Sequence, residues 1–317
     1  MLYKIFLFPA KWFIHLYCKR VSINNKSLLQ QKGPLLLAAN HPNSFLDAII
    51  LGTLFKNPVY SLARGDAFVN KLVTRVLKSF NMLPVYRVSE GVENLESNYE
   101  TFDACQEIFK QDGIVLIFSE GKCTNEWHLR PLKKGTARLA LEAWRRGVDL
   151  KVLPVGINYS SFKNFGKTVA INFGNIIAAE EINNQFYSGK EINEFNHKLR
   201  QELQELVFEI DQNDSQKKRE QFFEPISNLK KAILFPPGMI GFLFHFPLFL
   251  LIHFLIIRKA DVHYDSVMTG LLFFVYPLFV LSISLLAGYL GGASFFVLAI
   301  VGQPFCLWSF VQLRGQL

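Results

Sequence analysis

Residues 232–313 constrain this chain more than any other stretch, because they leave the backbone few places to go. They read as three apolar runs, AILFPPGMIGFLFHFPLFLLIHFLII, VMTGLLFFVYPLFVLSISLLAGYL and ASFFVLAIVGQPFCLWSFVQL. Each is long enough to cross a bilayer or dip into it, at about 20 residues per helical crossing. The first carries Pro236, Pro237 and Pro247, so a broken or re-entrant segment is expected there rather than a clean span. A re-entrant first segment followed by a hairpin turning at 288–292 puts Lys230, Lys231, Arg258, Lys259 and Arg314 on one face, the cytoplasmic one. Residues 232–317 are therefore read as a membrane-embedded helical region.

The rest of the 317 residues fits a membrane-associated chain. A net charge of +8 and a pI of about 9.2 suit either nucleic acid or an anionic membrane. The apolar C-terminus selects the membrane, and no arginine-rich helix or zinc-finger spacing calls for nucleic acid. The opening MLYKIFLFPAKWFIHLYCKR lacks a small-residue cleavage site. Residues 1–32 are predicted to carry an interfacial membrane helix, with Trp12 and Tyr17 near the headgroups and packing against the domain as the alternative. The four cysteines, Cys18, Cys105, Cys123 and Cys306, show no C-x-x-C spacing, so neither a disulfide framework nor a zinc site is implied.

Between 33 and 211 short apolar runs alternate with amphipathic stretches, the pattern of an α/β domain with a sheet flanked by helices. Strands are predicted at 35–39, 59–63, 83–87, 113–118, 151–157 and 168–174. Helices are predicted at 44–55, 67–79, 94–111, 133–146 and 189–211. Pro154 inside an apolar run suggests an edge strand or a bend. The polar stretch 212–231 reads as the linker to the membrane region.

Residues 38–49, AANHPNSFLDAI, place His41 and Asp47 on a strand-to-helix turn. Ser44 and Asp47 fit the S-x-x-D capping box that opens a helix. His41 then lies in the loop, where it can fold back, donate one ring N–H to Asp47 and keep the other nitrogen free for a proton. Other strand ends are also distinctive: MLPVYR ends in Arg87, GIVLIFSEG ends in Glu120 and Gly121, and the next helix opens with Lys133 and Lys134. Taken singly, each has an ordinary reading as turn or solvated surface. Two lysines at a helix N-terminus nevertheless oppose its dipole unless an anion sits there, and a phosphate is such an anion.

With these residues in hand, residues 33–180 resemble the glycerolipid acyltransferase superfamily, which includes glycerol-3-phosphate and 1-acylglycerol-3-phosphate acyltransferases. NHPNSFLD, LPVYR, FSEG and VLPVGI stand for its four blocks in order. Five residues separate His41 from Asp47 where four are usual, and Ser119 replaces the usual proline of the third block. The longer spacing, with PLKKG downstream, looks like the branch of eukaryotic-type glycerol-3-phosphate acyltransferases. The resemblance implies direct transfer of a fatty acyl group from acyl-CoA or acyl-carrier protein to a glycerol-phosphate hydroxyl, with glycerol-3-phosphate favoured and 1-acylglycerol-3-phosphate next. His41 and Asp47 would be catalytic. Arg87, Lys133 and Lys134 would hold phosphate, and Glu120 with Gly121 would form the acceptor site, the glutamate holding a glycerol hydroxyl or a cation in place. No cofactor and no resident metal are expected.

Three rivals follow from other residues. Cys123, with His41 or His128 as base, is a thiol nucleophile without a motif of its own. Asp261, His263 and Asp265 in DVHYD alternate as metal ligands do, but a solvated connector is the better account of that loop. A non-catalytic membrane scaffold or transporter would explain the apolar C-terminus; His245 and His253 are the polar candidates within it, and interfacial or satisfied histidines are the expectation.

Overall fold

Residues 35–39, Leu-Leu-Leu-Ala-Ala, are all 0% exposed, and a strand apolar at every position needs a packed layer on each face. The computed structural model, which describes residues 2–86, 97–182, 189–256 and 263–314, supplies both layers. Its strands are β1 (Cys18–Ile23), β2 (Leu35–Ala39), β3 (Val59–Arg64), β4 (Met82–Val85), β5 (Ile114–Phe118), β6 (Lys151–Tyr159) and β7 (Lys167–Phe173). They form one seven-stranded sheet in the order β1-β7-β6-β2-β5-β3-β4. Every pairing is parallel except β6 with β7, so the sheet is mixed.

The helices of the α/β part are α1 (Leu2–Tyr17), α2 (Phe45–Leu54), α3 (Lys71–Ser79), α4 (Ser97–Lys110), α5 (Lys134–Arg145), α6 (Gly189–Leu206) and α7 (Ser215–Phe222). Alternate residues of β2 feed two cores. Leu35, Leu37 and Ala39 pack with Phe13, Tyr17, Leu46 and Ile50 from α1 and α2. Leu36 and Ala38 pack with Phe109, Leu139, Phe195 and Leu199 from α4, α5 and α6. The first core continues without a break into the C-terminal region through Leu248, Ile252, Met268 and Leu272.

That region is three helices long and apolar enough to cross a membrane: α8 (Asn228–Ile256), α9 (Tyr264–Gly291) and α10 (Ala293–Leu313). The chain reverses between α9 and α10 at Gly292, whose φ of +81° suits a residue without a Cβ. The first segment is a single helix through all three prolines, not a broken one. Prolines are tolerated in such a helix where neighbouring helices and local adjustments absorb the lost bond. Here Gly241 brings the α8 backbone against Cys306 and Leu307 of α10.

Three further sequence expectations need correction. CKRVSI at the end of the N-terminal segment is a strand, β1, paired with β7, so only the stretch through Tyr17 is helical. The stretch taken as a linker contains α7, capped by the Asp214 side chain. Pro154 lies in β6, an interior strand, paired with Ala38. The β2 side of β6 is bonded through Lys151 and Val155, while Pro154 turns its carbonyl to Gly174 beyond the end of β7, so its missing N–H breaks no ladder bond.

Candidate active site

Parallel pairing of β2 with β5 sets Ala39 beside Phe118, so the residues that follow both strands emerge together at their carboxyl ends. His41 stacks on the Phe118 ring, centroids 3.8 Å apart and 12° from parallel. Its Nδ1 lies 2.9 Å from Asp47 Oδ2. A nitrogen facing a carboxylate carries the hydrogen, which makes Nε2 the basic nitrogen. Among the described residues Nε2 makes no hydrogen bond, and the side chain is 16% exposed.

Asp47 is fully buried and held from both sides. Oδ1 accepts from the Tyr159 hydroxyl at 2.7 Å, and Oδ2 also accepts the backbone N–H of Asn43 at 2.8 Å. Burial, with the Asp47 carboxylate adjoining, pushes the Tyr159 phenol well above its usual range, so it stays a donor.

Asp47 does sit in the first turn of α2, but the expected capping box is not formed. Ser44 is the N-cap with φ +54° and makes no side-chain cap bond. Its hydroxyl meets His263 Nδ1 at 2.8 Å instead, and its N–H donates to Cys123 Sγ at 3.0 Å. The Asp47 carboxylate is drawn back to Asn43 and His41, so the helix start sacrifices its cap to orient an imidazole.

Glu120 is buried beneath the same loop. Its two oxygens accept the backbone N–H of His41 and of Arg130, each at 2.9 Å, which ties the loops after β2 and β5 together. Burial raises its pKa, against the pull of those hydrogen bonds. Ser119, at the departure from the usual third block, is buried and accepts the Thr136 hydroxyl at 3.0 Å. Gly121 has φ +66°, and a Cβ there would meet Lys133 Cγ at 2.9 Å. The Lys133 stem therefore crosses the turn beside Glu120. Lys133 is the N-cap of α5 and Lys134 its first residue, both exposed at the helix end that favours anions. Arg87 lies outside the described residues.

Several residues that sequence reasoning passed over also converge on the site. Asp265 is no solvated connector: it is 0% exposed, accepts from Tyr17 Oη at 2.8 Å and Asn43 Nδ2 at 2.7 Å, and pairs with the buried Lys167 ammonium. Asn43 lies inside the first block, yet its partner lies 222 residues away, beyond any local signal. Among the described residues no group of three or more His, Cys, Asp or Glu gathers as metal ligands do. His128 pairs with Glu209 at 2.7 Å, and His245 Nδ1 faces the Gly241 carbonyl at 2.8 Å as a satisfied histidine does. An apolar cavity of about 260 Å³ opens among α1, α8, α9 and α10. Tyr17 lines it and donates to Asp265, which also accepts from Asn43.

Comparison with known proteins covers the stretch that carries His41, Asp47 and Glu120. Residues 20–158 match the family model described as Acyltransferase. A curated 1-acyl-sn-glycerol-3-phosphate acyltransferase of Bacillus subtilis (strain 168) is 27% identical over 121 residues, 38% of this chain and 56% of that one. The chain thus spans about half the length of that relative. A crystal structure of the 1-acyl-sn-glycerophosphate (LPA) acyltransferase PlsC from Thermotoga maritima superposes with a TM-score of 0.42 at 14% identity, covering 64% of this chain and 79% of that chain.

Proposed function

We propose, from the match of residues 20–158 to the Acyltransferase family model, that this chain moves a fatty acyl group from a thioester to a hydroxyl of a membrane-associated glycerol phosphate. The observation that carries the reading is the His41–Asp47 contact at 2.9 Å, with Nε2 left unbonded among the described residues. An acceptor hydroxyl placed at Nε2 gives up its proton as its oxygen attacks the thioester carbonyl, and Asp47 stabilises the imidazolium that forms. Collapse of the tetrahedral species breaks the C–S bond, and the imidazolium returns the proton to the departing thiolate. The carbon–oxygen ester bond is the one formed, and no acyl-enzyme is needed.

Lys133 and Lys134 at the open end of α5 suit the acceptor's phosphate, with Arg87 as a bidentate partner. Glu120 braces the two loops, each of its oxygens accepting one backbone N–H, and each oxygen keeps a further lone-pair site for a glycerol hydroxyl. The relative's name moves the preferred acceptor to 1-acylglycerol-3-phosphate. Glycerol-3-phosphate is the second reading, favoured by the five residues between His41 and Asp47. The donor is acyl-CoA or acyl-carrier protein, and the α/β domain faces the cytoplasm.

Membranes carrying the protein, given labelled acyl-CoA or acyl-carrier protein, are offered each acceptor separately. Label is expected in phosphatidic acid from the 1-acyl acceptor. Label in 1-acylglycerol-3-phosphate from glycerol-3-phosphate instead selects the second reading, and no labelled lipid from either defeats both.

A further inference from the structure

The reaction centre described above is not completed by the α/β domain alone, because the start of α9 reaches into it. His263, Asp265 and Ser266 hold the loop 43–46 at four points. Asp265 accepts the Asn43 side-chain N–H at 2.7 Å, and Ser266 Oγ donates to the Asn43 carbonyl at 3.3 Å. Ser266 Oγ also accepts the Leu46 N–H at 3.3 Å, while His263 Nδ1 meets Ser44 Oγ at 2.8 Å. The loop needs such holding. Ser44 sits at φ +54° and ψ −134°, a strained backbone conformation for a residue with a Cβ, which persists only where its surroundings over-determine it.

The contacts form one ordered path. Asn43 Oδ1 is buried and meets no partner among the described residues, so the bond from Nδ2 to Asp265 sets the amide. The Asn43 backbone N–H then donates to Asp47 Oδ2, the same oxygen that faces His41 Nδ1. Asp265 is itself fixed from two other elements, by the Tyr17 hydroxyl at the end of α1 and by Lys167 at the start of β7. Both members of the Asp265–Lys167 pair are 0% exposed, so the carboxylate is neutralised in place rather than solvated.

Resting on the proposed acyl transfer, we infer that Asp265, a residue of the C-terminal membrane hairpin, is the positioning residue that holds Asn43, and through it the Asp47–His41 pair, in reactive geometry. Acyl transfer therefore depends on how α9 is seated against the α/β domain. A buried ion pair that served the fold alone would make different predictions, since its removal as a pair is often close to neutral.

Asp265→Asn together with Lys167→Met removes both charges and leaves no lone buried ion. The expected protein unfolds near the wild-type temperature, keeps its KM for donor and acceptor within about twofold, and loses kcat by about ten- to a hundredfold, the scale of a small misplacement. Asn43→Ala is expected to do the same, and the three substitutions combined are expected to cost no more than either alone, as parts of one path do. Hydrogen exchange gives a readout independent of turnover: amides of 41–47 in the Asp265→Asn/Lys167→Met protein exchange about tenfold faster, with β2 and β5 unchanged. If wild type shows no acyl transfer, the proposed function fails while the exchange experiment still decides the positioning. Unchanged kcat, multiplicative losses on combination, or unaltered exchange at 41–47 each overturn the inference. Should the double variant fail to fold, Ser266→Ala with Asn43→Ala decides by the same criteria.

Discussion

At the scale of single residues, the site is a set of groups each given one task by its neighbours. His41 could be placed from sequence because a loop histidine six positions before a helix-start aspartate has only one economical way to meet it, and the contact is there at 2.9 Å. Tyr159 escaped notice because its bond to Asp47 crosses 112 residues. That bond goes to a buried carboxylate, so Tyr159→Phe is predicted to destabilise the protein by about 2 kcal/mol in thermal or denaturant unfolding, and an unshifted transition would contradict it. Glu120 makes a pH prediction. Its folded-state carboxyl is raised by burial, so the folded chain holds a proton that the unfolded chain has released. Stability from this group is then present below the ordinary carboxylate pKa and falls as pH rises through the raised value. Glu120→Gln should flatten the decline in melting temperature as pH rises above the ordinary carboxylate range; an identical slope in both proteins counts against it.

At the scale of elements, strands were legible where their side chains are buried on both faces. LLLAA and IVLIF are continuous apolar runs bounded by Gly and Pro, and both are strands as read, β5 beginning one residue later than expected. CKRVSI was not legible, because it follows α1 directly and its exposure alternates too weakly to separate it from a polar helix end. Helix α9 was legible as apolar, but its polar first turn was not recognisable as part of the site, since nothing local distinguishes a buried Asp265 from a solvated one. The shared core makes a contrast that can be measured. Leu37→Ala, at a position 0% exposed, is predicted to cost about 2–5 kcal/mol. Leu243→Ala, 65% exposed on α8, is predicted to leave the unfolding transition nearly unmoved. Equal losses would contradict a core that runs from β2 outwards.

At the scale of the whole molecule, the apolar core beneath the sheet and the packing of the C-terminal helices are continuous, so the α/β domain and the hairpin form one body around the reaction centre. Composition pointed to a membrane protein and four ordered blocks lie in the stretch that matches the Acyltransferase family model, whereas the seam between the two parts appears only in three dimensions, at Asn43 and Asp265. The central claim is that this assembly transfers acyl groups with His41 as its base. Turnover of labelled acyl donor onto 1-acylglycerol-3-phosphate by membranes holding equal amounts of wild type or His41→Ala tests it most directly. The account predicts a loss in kcat of at least about a hundredfold with little change in KM. A variant that turns over like wild type would contradict it.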